Sequence, residues 1–205
     1  GSCGNDYVYA GAANILEMGA TNAKLSNGST TISMKWDDTR GQYCSGNSCD
    51  PNANIGTVSS SQWRSGSTYQ LDAFVPTTGY PSFTVPNFVR TPTGLNVTNP
   101  AVTGSTLPYL SSNQTFNWSG TDADYVLITL WVLDASQANI DKVISCAAPN
   151  TGNFTMPSSA WGGFVTDRVT HVRIGAVKET TGTLPSGART QMVGINWIHG
   201  GGYTY

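Results

Sequence analysis

Two histidines, two short carboxylate runs and six tryptophans are the residues from which a reaction or a binding site would have to be assembled. His171 occupies an outward position of a candidate strand, and His199 precedes GGGYTY. Neither comes with a GxSxG nucleophile elbow or an HExxH zinc spacing, so a histidine-based catalytic site has no motif behind it. Asp37 and Asp38 open DDTRG, while Asp122 and Asp124 bracket Ala123 in GTDADY. Calcium takes oxygens from loops of this kind, but neither spacing is that of an EF-hand. Carboxylates in turns ordinarily hydrogen-bond the local backbone instead. A glycosidase would need two carboxylates roughly 5 to 9.5 Å apart across a cleft. Asp37, Asp38, Asp122 and Asp124 are the candidates for that hydrolytic alternative, behind a leading expectation of no catalysis, no metal and no cofactor.

The aromatics offer a binding chemistry in place of a reaction. Trp36, Trp63, Trp118, Trp131, Trp161 and Trp197, together with nine tyrosines, could supply a sugar-stacking platform. Trp118, Trp131 and Trp197 lie within apolar strands and read as core. Trp63, in SSSQWRSG, and Trp161, in SSAWGGF, lie in loops beside small polar residues and form the candidate exposed pair for a glycan.

Four cysteines bear on compartment. Cys44 and Cys49 enclose SGNS, a loop that a local disulfide would close for about 2 kcal/mol. Zinc would need further ligands at matching spacing, and none stands there. Cys3 and Cys146 have two open readings. Paired, they tie the N-terminal segment to the second half and remove roughly 5 kcal/mol of unfolded-state entropy. Alternatively, Cys3 follows Gly-Ser and begins Cys-Gly-Asn-Asp as the lipid-bearing residue of a bacterial lipoprotein would, with Cys146 a buried thiol.

Composition narrows the partners. Charged residues are only 11% of the 205, against roughly 25% in ordinary soluble domains, so the surface is rich in hydroxyls and amides. A net charge of −2, with ten basic residues scattered singly, provides no stripe to neutralise phosphates, and nucleic acid is not an expected partner. The longest apolar run, residues 125–133, has the length of a strand and falls well short of the roughly 20 residues of a membrane-spanning helix. Neither a transmembrane segment nor a signal peptide is visible.

The elements that would position these residues are strands. Residues 30–36 alternate with Ile32, Met34 and Trp36 on one face, and residues 68–75 with Tyr69, Leu71, Ala73 and Val75. Residues 7–12 alternate likewise, and residues 12–18, the one short helix-like run, are read with them as strand. Residues 39–61 form a long irregular excursion. Six prolines between residues 76 and 108 confine the intervening pieces to edge strands or a connector. Further strands are expected at residues 115–119, 124–133, 142–146, 153–156, 169–178 and 191–199. Within residues 124–133, Val126, Ile128, Leu130 and Val132 form the inner face, and Tyr125, Leu127 and Trp131 make the other face apolar. That strand should therefore be central and covered on both sides. Val172, Ile174 and Ala176 point inward, which sets His171 and Arg173 outward.

The string GLNVTNPAVTGSTLPYLSSNQTFNWSGTDADYVLITL, followed by SCAAPNTGNFTMP, resembles the immunoglobulin-like modules of secreted bacterial cell-surface lipoproteins. The resemblance covers about the last half of the chain, implies a sandwich and surface display, and transfers no site residue. The expectation is thus an all-β protein of two antiparallel β-sandwich modules, the second immunoglobulin-like. Residues 1–90 form the first module, with its disulfide loop, 91–106 a proline-rich connector, and 107–205 the second. The function expected is non-enzymatic, extracellular or cell-surface, structural or adhesive. Partners would be other copies of itself through terminal strands, such as YVYAGA or the Tyr-Thr-Tyr tail, or cell-surface components. A glycan-binding module is the alternative, and a bacterial outer-membrane lipoprotein is one form the localisation could take.

Overall fold

Alternating apolar and polar residues between glycine and proline turns leave little to build helices from, and the computed structural model is all-β. It describes residues 1–4, 22–37, 42–45, 58–74 and 82–205. In chain order the strands are β1 (Ser2–Gly4), β2 (Asn22–Ser26), β3 (Thr31–Asp37), β4 (Gln42–Ser45), β5 (Thr68–Phe74), β6 (Phe83–Arg90) and β7 (Asn96–Asn99). They continue with β8 (Tyr109–Leu110), β9 (Thr115–Ser119), β10 (Tyr125–Leu133), β11 (Ile140–Pro149), β12 (Asn153–Thr155), β13 (Val169–Thr183) and β14 (Arg189–Thr204). A single 3-10 turn, Ser158–Trp161, is the helical element among the described residues. Residues 7–18, expected as strand, and most of the 39–61 excursion, including Cys49, lie outside the described residues.

The chain gathers into two compact units. One comprises residues 1–4, Pro92–Lys178 and Ile195–Tyr205; the other takes the described residues between 22 and 91 together with Glu179–Gly194. The long strands β13 and β14 therefore contribute to both.

In the first unit a six-stranded sheet, ordered β1-β11-β10-β13-β14-β8, faces a three-stranded sheet, β12-β9-β7. β1 with β11, β11 with β10, β10 with β13, β12 with β9 and β9 with β7 pair antiparallel, and the two-residue contact of β14 with β8 is parallel. Between the sheets lie Val126, Ile128, Leu130 and Val132 of β10, Ile144 and Cys146 of β11, Val172 and Ile174 of β13, and Phe116 and Trp118 of β9. Strand β10 is central as its pattern requires. Its second face is half-buried rather than covered, and the residues there carry the site described below. Cys3 pairs in register with Cys146 and is disulfide-bonded to it across 143 residues. The edge strand β1 is thereby held to the sheet by a covalent bond.

Polar side chains finish the turns of this unit. Trp118 donates its indole N–H to Asn150 Oδ1 at 2.9 Å, and Asn150 Nδ2 donates in turn to the carbonyls of Thr121 and Ala123. Buried amide groups need partners, and this one side chain supplies a core tryptophan while fixing the 121–123 turn.

The second unit is built on a five-stranded antiparallel sheet, β4-β3-β2-β5-β6. Ile32, Tyr69, Leu71, Ala73, Val85 and Val89 are buried on it, with Leu184 and Met192 packed against them. Pro86 sits in the edge strand β6 where the register slips between Tyr69 and Leu71, and the next residue, Asn87, has φ 52°. A proline has no N–H to give a ladder, so an irregular edge position accommodates it.

Candidate functional site

Alternation along β10, β13 and β14 sends every second side chain out of the core, and on the outer face of the six-stranded sheet these residues meet. Thr129 of β10 is in register with Arg173 of β13, and Trp131 with His171. The Arg173 guanidinium lies 5.4 Å from the ring centre of Trp131 and 4.7 Å from that of Trp197. Both are within the roughly 6 Å at which a cation is drawn to the face of an indole. Room for Trp197 comes from Gly175, over which its six-membered ring lies.

The Arg173 side chain has no hydrogen bond or ion pair among the described residues, and its Nε is buried without a partner. His199, from β14, stands close enough for the two to interact. Burial first, and then the Arg173 charge, hold its imidazole below the ordinary 6.5, which favours the neutral ring.

The face continues toward the β8 edge. Leu107, 42% exposed, covers Gly201. Tyr109 meets Tyr203 edge-on with ring centres 6.2 Å apart, and Tyr205 at 5.2 Å. Tyr109 and Tyr205 are 68% and 77% exposed. Trp131, Arg173, Trp197, His199 and these tyrosines thus form an aromatic strip with one unpaired cation in it.

The sequence-expected residues fall elsewhere. Trp161 does not stand exposed in a loop: it is 1% accessible, donates its indole N–H to the Ser112 carbonyl at 2.8 Å, and meets Phe164 edge-on at 4.8 Å. The 3-10 turn that carries it folds the ring into the core, where small neighbours in the sequence gave no hint of burial. Trp63 is half-buried and stacks on Tyr69 at 5.0 Å. Tyr69 in turn donates to the Gln62 carbonyl and accepts from the Arg64 N–H, both at 2.7 Å, so Trp63 belongs to a packed loop. The two tryptophans are in different units.

The carboxylates serve turns and pairs. Asp122 Oδ1 accepts from the Thr93 N–H while Thr93 Oγ1 accepts from the Asp122 N–H, both at 2.7 Å. Asp124 pairs with Lys178 at 2.7 Å. The side chain of Asp37, all of Asp38, and the sulfur chemistry of Cys44 with Cys49 lie outside the described part. Among the described residues no three His, Cys, Asp or Glu side chains are grouped to hold a metal ion. No helix of the described residues is long and apolar enough to cross a membrane. The C-terminal Tyr203 and Thr204 pair with Tyr109 and Leu110, so the tail is part of the sheet.

No protein-family model matches the chain, and no curated protein is detectably similar to it in sequence.

Proposed function

We propose that this is a non-enzymatic extracellular or cell-surface protein of structural or adhesive role, and that its adhesive element is the outer face of the six-stranded sheet. The observation that carries the reading is Arg173, held between two indoles with no acceptor among the described residues, on a face that continues into exposed tyrosines. Large aromatics and arginine are the side chains that dominate recognition surfaces. The Cys3–Cys146 disulfide supports an oxidising compartment.

Three narrower readings carry less support. Strand addition by the Tyr-Thr-Tyr tail would require its pairing with β8 to open. A lipid thioether on Cys3 would use the sulfur that is bonded to Cys146, so the lipoprotein form and the disulfide form are mutually exclusive. A glycan platform on Trp63 and Trp161 loses its second member to the core.

Sedimentation velocity at rising concentration, together with binding of the labelled protein to envelope fractions of the cells that encode it, tests the proposal. Saturable envelope binding or reversible self-association is expected. A strict monomer that binds no envelope component overturns it.

A further inference from the structure

The geometry points to a site for a carboxylate-bearing saccharide on this same face, with Arg173 receiving the carboxylate and Trp131 and Trp197 packing on the sugar. The inference rests on the adhesive reading and names its ligand class. A guanidinium presents planar N–H donors whose fork matches a carboxylate, so that two parallel bonds form at once. In Arg173 none of those donors is used among the described residues. Of its nitrogens only Nε is both buried and unpartnered, which leaves the Nη edge for an anion. The two indoles flank the guanidinium from the neighbouring strands, at 5.4 and 4.7 Å. A partner anion gains more in surroundings of reduced polarity, and an arginine already held in place loses little freedom on binding.

A sugar fits this surface better than an acidic peptide does. Extended peptides bind by adding main-chain bonds to a sheet edge, whereas here the aromatic strip lies on a face whose backbone groups are spent within the sheet. Rings of Trp and Tyr offer broad apolar area with a polar handle, the match for the C–H faces and hydroxyls of a pyranose. The strip runs on through His199, Tyr203 and Tyr109, so it suits an oligosaccharide more than a single sugar.

Isothermal titration of the whole chain with three probes decides it: a tetrasaccharide alternating glucuronate and N-acetylglucosamine, its carboxyl-reduced neutral counterpart, and a tetraglutamate peptide. The acidic sugar should bind with quenching of tryptophan emission, and the reduced sugar should be weaker by about tenfold or more. Arg173→Lys, which keeps the charge but loses the fork, should weaken the acidic sugar by about tenfold and narrow its advantage over the reduced one. Near-UV circular dichroism checks that this variant is folded; if it is not, the contrast between acidic and reduced sugars in the wild type decides alone. No binding of the acidic sugar at millimolar concentration, or equal binding of its reduced form, overturns the inference. Tetraglutamate binding as tightly as the sugar also overturns it, in favour of an acidic peptide. Each of these failures leaves envelope binding or self-association unaffected, and so is distinguishable from failure of the adhesive reading.

Discussion

The ring of Trp197 lies on Gly175: a Cβ placed at that glycine would fall 2.5 Å from Cζ3 and 2.6 Å from Cε3. The glycine on β13 is thus the floor that lets the β14 indole lie low enough to reach Arg173. Gly175→Ala should lift Trp197 off Arg173 and cost about 1–3 kcal/mol through overpacking. Urea unfolding reads the stability, and near-UV circular dichroism reads the indole. An unchanged indole signature and midpoint would show that the ring does not depend on this glycine.

The Cys3–Cys146 bond closes a loop of most of the chain. Replacing both cysteines by serine should lower stability by about 2–5 kcal/mol, with β1 the first strand to exchange its amides. Urea midpoints with and without reductant, together with a non-reduced peptide map, check this. Insensitivity to reductant would mean that the bond contributes nothing to the native state.

Trp161→Ala should be among the most damaging single changes, by about 3–5 kcal/mol. It removes a buried ring and leaves the Ser112 carbonyl without its 2.8 Å donor. Trp131→Ala, on the half-exposed face, should cost far less stability. A thermal unfolding series comparing the two separates core from surface, and equal losses would contradict the burial assigned to each.

Strand placement was legible where alternation is clean. Residues 115–119 form β9 as expected and β10 starts one residue after the expected 124–133, because Phe116 and Trp118, and then Val126 through Val132, fall on one side of a period of two. β1 was not legible: Ser-Cys-Gly has no pattern, and its place is set by β11 and the disulfide. GGGYTY ends in the Tyr-Thr-Tyr that reads as a tail able to pair with another copy. Its glycines are there because a Cβ at Gly200 would collide with the Val102 carbonyl, and one at Gly202 with Leu110, so the strand can pass close beneath both. Outward parity is visible for Arg173, whereas Trp131 reads as core on a covered second face, and their meeting with Trp197 depends on β10, β13 and β14 being neighbours. Trp197 read as core because its strand is apolar on the same side at Val193 and Ile195.

His199 sets a pH response. Its folded-state pKa lies below 6.5, by burial first and Arg173 second. The unfolded chain therefore binds more protons than the native one as pH falls below 6.5, and stability declines through that window until the folded-state pKa is passed. His199→Gln should flatten this part of the profile. Urea midpoints from about pH 8 to about pH 5 measure it, and a variant that keeps the full slope would assign the effect elsewhere.

At the β10–β11 turn, Asp134 accepts from Asn139 Nδ2, Ser136 Oγ and the Ala138 N–H. Bonds from Asn139 and Ser136, the largest causes, lower its pKa from 3.8 to about 2. Its contribution is present above 3.8 and is lost as pH falls toward about 2. Asp134→Ala should speed amide exchange at Asn139 and Ile140 near neutral pH; exchange at the wild-type rate would show that the turn holds without the carboxylate.

Residues 2–4 form one edge strand of the six-stranded sheet, and residues 203–204 pair with β8 at the opposite edge. A chain emerging N-terminus first from a ribosome or a secretion pore therefore cannot complete this sheet until its last strand has followed. Its completion depends on pairings as distant in sequence as that of Cys3 with Cys146, which are slow to form. The disulfide needs only residues 140–149 to have arrived, so oxidation can precede final assembly and hold the first strand in register while the last is still in transit.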